Sequence, residues 1–381
     1  MRPFLFTLLV LTLPTFAAEP AAADDDFTSL FNNKDLTGWI PVNVAATGAP
    51  NDTFTVKDNE IVCTGLPTGV LRSEKMYENF IVELEWRHLR PGGNSGFFVW
   101  SDALTAKGVP FTRAVENQIL DGPGGDGYTT QGDVFAIHGA TLTPGHPGKW
   151  KGRSYPTESR TRPSPQWNHY RIECVNGNIA LAVNGKVVTT ATNVSQRKGY
   201  LCLESEGGLI HFRNIRIKEL PPTKDLDPKF VAQKDDGYKS LYTGLDLTNW
   251  TVSPIAAATW KPKDWTLQFD PIPTGKNADF TLQTQAKFKD LQAILDYRHR
   301  GPGDVQLRLR GQTIQLPPQS EDKPAWHRCH LTLKGPTLTL QIDDQPATTQ
   351  DLPTNPAETT LGLSPTGPTD FANLYVKTLP D

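Results

Sequence analysis

Phe80-Ile81-Val82-Glu83-Leu84-Glu85-Trp86-Arg87 alternates without a break, with Ile81, Glu83, Glu85 and Arg87 on one face and Val82, Leu84 and Trp86 on the other. Period-two alternation is the pattern of a strand with one face in a core and one in solvent. The stretch returns 211 positions on: Glu85-Trp86-Arg87-His88 becomes Asp296-Tyr297-Arg298-His299, and Pro91-Gly92 becomes Pro302-Gly303. At the same offset, Ser29-Leu30-Phe31 through Leu36-Thr37-Gly38-Trp39 recurs as Ser240-Leu241-Tyr242 through Leu247-Thr248-Asn249-Trp250. Further along, Trp167, Phe212, Asn214, Lys218 and Leu220-Pro221 match Trp326, Phe371, Asn373, Lys377 and Leu379-Pro380 at offset 159. The chain therefore holds two copies of one unit, the second lacking 52 residues between the counterparts of Gly92 and Trp167.

The neighbouring sequence is also strand-like. Tyr170–Cys174 and Ile179–Val183 flank Asn176-Gly177, and Asn184-Gly185 leads on to Lys186–Thr190; both dipeptides suit two-residue hairpin turns. Leu209–Lys218 alternates again. With 31 Gly and 32 Pro in 381 residues, about a sixth of the chain is set against long helices. Each copy is expected to be an all-β sandwich. The expected layout is a leader at 1–23, a sandwich at 24–220, a Pro-rich linker at 221–237 and a shorter related sandwich at 238–381.

Arg2 followed by the apolar run Phe4–Phe16, with small residues up to Ala23, reads as an export leader too short to span a membrane. The expected location is periplasmic or extracellular. A formal net charge of −3 gives no basic stripe for nucleic acid, and no later apolar run is long enough for a membrane span. Cys63, Cys174, Cys202 and Cys329 form no CxxC pair. Cys174 and Cys202 either join as a disulfide or remain buried thiols.

The repeat serves as an internal control. Trp39, Trp167, Phe212 and Asn214, kept in both copies, read as structural. So does His88, which recurs as His299 on the apolar face of its strand. Glu85 and Arg87, recurring as Asp296 and Arg298, are expected to form a same-face ion pair. Polar segments confined to the first copy are the candidates for a site: Asn94-Ser95-Gly96, Glu116-Asn117-Gln118-Ile119-Leu120-Asp121, the glycine-rich turn Gly122–Gly127, Gly132–His138, and a loop carrying Arg153, Arg160 and Arg162.

In chain order, Asn32-Asn33-Lys34-Asp35-Leu36-Thr37-Gly38-Trp39, Gly93-Asn94-Ser95-Gly96, Glu116-x-Gln118-Ile119-Leu120-Asp121, Trp167-Asn168 and Phe212-Arg213-Asn214-Ile215 resemble the 3-keto-disaccharide hydrolase family. The resemblance covers roughly residues 27 to 219, and the second copy resembles a stripped version. It implies two tandem concanavalin-like jelly-roll sandwiches and cleavage of glycosides oxidised at C3. It also implies an exported sugar oxidoreductase as the partner that makes the substrate.

Such chemistry defines the residue types needed. A C3 ketone acidifies the proton on C2, so a base can form the enolate, which expels the C1 substituent before water adds back. That path asks for a carboxylate or His as base, a positive group for the enolate oxygen and an acid for the leaving oxygen. Glu116, sharing a strand face with Gln118, is the first choice for base. His138 is the candidate acid or second base. Asp121, at the strand end, is either a turn-former or a catalytic or metal-binding carboxylate. Glu83, lost to Ile294 in the second copy, joins Glu85, Arg87, Arg72, Asn94, Ser95 and Gln118 as candidate substrate binders. Trp100 and Trp150 are candidate sugar platforms. A divalent cation is a candidate cofactor, with Asp121, Asp126, Asp133 and His138 as candidate ligands. The rival reading is a carbohydrate-binding protein without catalysis, and the fold alone serves both.

Overall fold

The computed structural model describes residues 26–49, 51–122, 129–273, 278–317, 324–354 and 357–380. The expected leader, the glycine-rich turn from 123 onward and Asp126 lie outside them. Among the described residues the chain is all-β apart from a short helix at Pro254–Thr259 and a single 3-10 turn at Pro228–Phe230. Its strands form two jelly-roll sandwiches in tandem. The first packs a nine-stranded antiparallel sheet on a seven-stranded one, and the second an eight-stranded sheet on a five-stranded one.

The alternation of 80–87 explains the first core. In the strand Phe80–His88, Val82, Leu84 and Trp86 point between the sheets, where Trp86 packs edge-on against Tyr170. This strand sits mid-sheet between Asn168–Val175 and Ile210–Glu219. The Asn-Gly dipeptides form the turns expected: Asn176 and Gly177 take φ 51 and 79, and Asn184 and Gly185 take 47 and 86. The alternation in Ile210–Glu219 is interrupted by a bulge between Arg213 and Arg216, with Asn214 at φ 52. Asn373 repeats that bulge in the second sandwich at φ 51, so the Asn kept in both copies is the residue that tolerates this backbone.

Two expectations need correction. Glu85 and Arg87 do share a face, but each pairs across strands: Glu85 with Arg213 at 2.6 Å and Arg87 with Glu60 at 3.1 Å. Residues two apart on one strand face point the same way, so a neighbouring strand offers the shorter reach. The disulfide alternative also fails. Cys174 lies between the sheets and Cys202 on the outer side of the seven-stranded sheet, and all four cysteines are free and buried.

The sandwiches meet face to face through a specific set of substitutions. In the first, Glu83 on the outer face of the large sheet bonds Arg171 and Arg216 at 2.6 Å, and the face stays wet. In the second, the counterparts of Glu83 and Arg216 are Ile294 and Tyr375, opposite each other in register. They pack against Val42, Val70, Phe98, Ala114 and Cys202 on the outer face of the seven-stranded sheet. An ion pair has become an apolar pair, and the face that carries it is buried against the first sandwich.

At the rim of this contact, Asp296, fully buried, accepts from Arg328 Nε at 2.7 Å, Asn373 Nδ2 at 2.7 Å and the backbone N–H of Gly108 at 2.7 Å. Asp296→Ala would leave the half-buried Arg328 guanidinium, 18% exposed, without its carboxylate, a change that costs up to about 3–5 kcal/mol where a pair is fully buried. Chemical denaturation of the full chain should show a loss of this size in the second sandwich. A change below about 1 kcal/mol would mean that water replaces the carboxylate.

Candidate active site on the seven-stranded sheet

The outer face of the seven-stranded sheet gathers the first copy's polar segments. Its strands run in the order Arg153–Ser154, Val134–Ile137, Ala114–Leu120, Asn94–Ser101, Tyr200–Ser205, Gly69–Ser73, Trp39–Val42. The ladders place Phe98 between Glu116 and Cys202, and Gly96 beside Gln118. Alternation then brings Glu116 and Gln118 from one strand together with Glu204 from another, on either side of Gly96.

Gly96 is what allows this. A Cβ there would lie 2.7 Å from Glu116 Oε1 and 2.8 Å from Glu204 Oε2, so the two oxygens are no more than about 5.5 Å apart. Glu116 is 6% exposed and Glu204 1% exposed, and Glu204 Oε2 is a buried oxygen without a hydrogen-bond partner. Past them, Asn94 Nδ2 donates to Glu206, and Gln118 Nε2 donates to Asn94 Oδ1 at 3.0 Å. Gln118 Oε1 is buried and unpartnered.

Burial pushes the Glu116 carboxyl well above the ordinary carboxylate range; the fields of Glu206 and Asp133 push the same way and Arg153 opposes them. Burial, then Glu116 and Glu206, push Glu204 well above it too. Glu206 is raised by burial. Like charges this close cannot all ionise, so the cluster shares protons as a unit. Arg153 supplies a positive field at Glu116 that Glu204 lacks, so of the two carboxyls flanking Gly96 the ionised form is favoured at Glu116.

Arg153 itself is buried, stacks 3.4 Å from the Phe135 ring centroid, and bonds Asp133 at 3.0 Å. Asp133 also accepts from Thr130 N at 2.9 Å and Thr130 Oγ1 at 2.6 Å. Burial raises its carboxyl against those bonds. Asp121 accepts from the Ser164 N–H at 3.3 Å, while its backbone bonds Gly92 and Gly93, which is the turn-former's role. His138 lies three residues past Phe135, the residue opposite Glu116, and stacks on Phe111 with centroids 6.1 Å apart. Burial holds it neutral. Asp121, Asp133 and His138 are thus spent on separate local contacts. Among the described residues, no three His, Cys, Asp or Glu side chains converge as a cation would need.

Other sequence candidates lie elsewhere. Trp100 is fully buried, its indole N–H donating to Glu78 O at 2.8 Å, so it is core and not a sugar platform. Ser95 points inward and donates to the Glu204 carbonyl at 2.9 Å. Arg72 is on the right face but buried, with its guanidinium held by Asp235 of the linker and stacked 4.2 Å from the Tyr200 centroid. Glu83, Glu85 and Arg87 occupy the outer face of the other sheet. Trp150 is exposed beside Lys149. Sequence reading missed Glu204 and Glu206. Their signal is Leu201-Cys202-Leu203-Glu204-Ser205-Glu206, whose alternation sets Cys202, Glu204 and Glu206 on one face.

The second copy lacks this chemistry. Its ladders put Arg308 between Thr313 and Gly362 where the first has Phe98 between Glu116 and Cys202. Leu363 opposes Leu282 as Leu203 opposes Leu71, which makes Ser364 the counterpart of Glu204.

Residues 26–218 match the model of the 3-keto-alpha-glucoside-1,2-lyase-like domain, just over half of the chain. The chain belongs to this family. The lyase-like domain takes in the whole carboxylate cluster and ends at the last strand of the first sandwich. Among solved structures, a candidate glycosyl hydrolase from Parabacteroides distasonis is similar at 22% identity, over 52% of this chain and 95% of that one, with a TM-score of 0.40. The β-glucanase of Bacillus licheniformis is similar at 15% identity, over 51% and 97%, with a TM-score of 0.33. The carbohydrate-binding module CBM66 of Bacillus subtilis is similar at 13%, over 48% and 96%, with a TM-score of 0.31. No curated protein matches. Among the described residues, no helix is long and apolar enough to cross a membrane.

Gly96→Ala is expected to lower any activity of this lyase-like domain on the order of 100-fold while leaving it folded. The added methyl would press on both carboxylates, and misplacing a reacting group by about 1 Å costs on the order of 100-fold in rate. Activity alongside a far-ultraviolet spectrum checks it, and a fully active, folded variant would mean that the carboxylates stand aside without consequence.

Proposed function

We propose that the first sandwich is an exported enzyme that cleaves 3-keto-glycosides, with Glu116 as the base at C2 and Glu204 as the acid at the leaving oxygen. The observation that carries this reading is the pair of protonatable carboxyls facing each other across Gly96. Family membership supplies the substrate class, and the leader-like residues 1–23 the route of export. The ketone makes C2–H acidic enough for a carboxylate, and a base with a raised pKa is a stronger one. Glu116 takes the C2 proton as the C2–C3 enolate forms. The enolate re-forms the ketone and breaks the C1–O bond while Glu204 gives its proton to the departing oxygen. Water then adds across the enone, with the C1–OH and C2–H of the sugar restored. Net hydrolysis consumes one water, and an exported sugar oxidoreductase supplies the keto substrate.

The same upper bound on the carboxyl separation is compatible with one rival. Retaining glycosidases hold two carboxyls about 5–5.5 Å apart, and they need no ketone. Full-length protein should be incubated with a 3-keto-glucoside bearing a nitrophenyl group, and with the unoxidised glucoside, each with and without chelator. Release from the keto substrate alone supports elimination. Equal release from both supports the ordinary glycosidase. Glycan binding with no release from either leaves a binding protein, and the enzyme reading fails.

A further inference from the structure

The second sandwich has lost the carboxylates, yet it grips the strands that carry them. Residues 102–113 join Asn94–Ser101 to Ala114–Leu120, the two strands that bear Asn94, Gly96, Glu116 and Gln118. This connection reaches onto the second sandwich. Arg328 Nη2 donates to Thr105 O at 3.0 Å, and Thr105 Oγ1 bonds Tyr375 OH at 2.9 Å. Asn373 Nδ2 donates to Ala106 O at 2.9 Å and Val109 O at 3.1 Å, and Asp296 accepts from Gly108 N. Gly108, at φ 69, lies so close to Trp326 that no side chain would fit.

Comparison of the copies shows that this grip is a specialisation. Glu85 and Asn214 make the same carboxylate–amide bond in the first sandwich, at 3.1 Å, and Trp167 sits where Trp326 does. There, however, His169, Glu83 and Arg216 stand where the second copy has Arg328, Ile294 and Tyr375. All three replacements touch the first sandwich: Arg328 and Tyr375 hold Thr105, and Ile294 with Tyr375 packs on Phe98 and Ala114, the latter two residues from Glu116 on the same strand face.

We propose that the second sandwich is the positioning element of the carboxylate site. Asp296, Arg328 and Asn373 fix the Thr105–Val109 loop, and through it the placement of Glu116 opposite Glu204. As a statement about catalysis this rests on the reading of the first sandwich as a 3-keto-glycoside enzyme; as a statement about the carboxyls it does not.

Two full-length variants loosen the grip from opposite sides. Gly108→Ala wedges the loop off Trp326, and Asn373→Gly removes the amide while keeping a residue that tolerates the bulge. Lys107→Ala, which removes only the solvent-side pair with Asp343, is the control. The glutamate carboxyls are titrated by carbon NMR, with Glu116 assigned from its disappearance in Glu116→Gln, and turnover of the nitrophenyl 3-keto-glucoside is followed in parallel. Both variants are expected to move the Glu116 titration toward the ordinary range and to lower kcat about 10–100-fold with little change in KM. The control should match the wild type. Unmoved titration in both variants, with faster amide exchange at residue 108 proving the loop free, overturns the proposal. If the wild type turns over no keto-glycoside, the functional reading falls and the titration alone still decides this one.

Discussion

Glu116→Gln should remove turnover of 3-keto-glycosides whatever the leaving group, by about 10²–10⁴-fold in kcat, the usual worth of a positioned general base. The amide is nearly the size of the carboxylate and uncharged, so neither the core nor Gly96 is disturbed. Glu204→Gln should behave differently. With a nitrophenyl substrate, whose oxygen departs readily as an anion, loss of the acid should cost little. With an alkyl glycoside it should cost nearly as much as loss of the base. The measurement is kcat for both variants on both substrates. Equal loss from Glu204→Gln on both leaving groups would take the acid role from Glu204. Full activity in Glu116→Gln would take the base role from Glu116 and with it the argument from Arg153.

The unequal roles rest on field and burial. Both carboxyls are dry and both are raised. The difference is that Arg153 faces Glu116 across Phe135, while the neighbours of Glu204 are carboxylates. Two like groups in one site become an acid and a base when their surroundings separate them.

The sequence carried the fold through residues such as Val82, Leu84 and Trp86, because alternation is written in the residues themselves. It carried Glu116 and Asn94 for a different reason: the second copy lacks them, so one chain supplied its own comparison. It did not carry the site as a whole. Alternation tells which residues of one strand share a face, but not which sheet the strand joins. Glu83, Glu85 and Arg87 therefore joined the candidate list although their strand belongs to the other sheet. Glu204 and Glu206 were passed over because Leu201–Ser205 looks like core, with buried Leu201 and Leu203 inside and an apolar Cys202 outside. Trp100 failed for want of depth, since burial of an aromatic depends on what crosses it in space. The pairing of Arg72 was not legible because its partner, Asp235, is 163 residues away.

The carboxyls that give the site its chemistry should also weaken the fold, and pH reveals it. In the unfolded chain Glu204 titrates near about 4.3; in the folded chain it holds its proton to a higher pH. Between those two values the folded state binds more protons than the unfolded, so stability falls as pH rises through that window and levels off above the folded pKa. Glu83 has the opposite sign. Burial alone would raise it, but bonds from Arg171 and Arg216 hold it below the ordinary range. Its contribution is present above the unfolded pKa and is lost as pH falls through the folded one. Glu204→Gln removes a titration of the first kind and none of the second. The variant should therefore match the wild type at pH 4 and be more stable above neutrality. Each kcal/mol of relief raises the midpoint by about 2–4 °C for a unit of this size. Thermal scans of both proteins across pH 4–9 test this. A wild-type profile that rises steadily to neutral pH, with the variant no more stable there, would mean that Glu204 ionises without cost and that the site holds no stored proton.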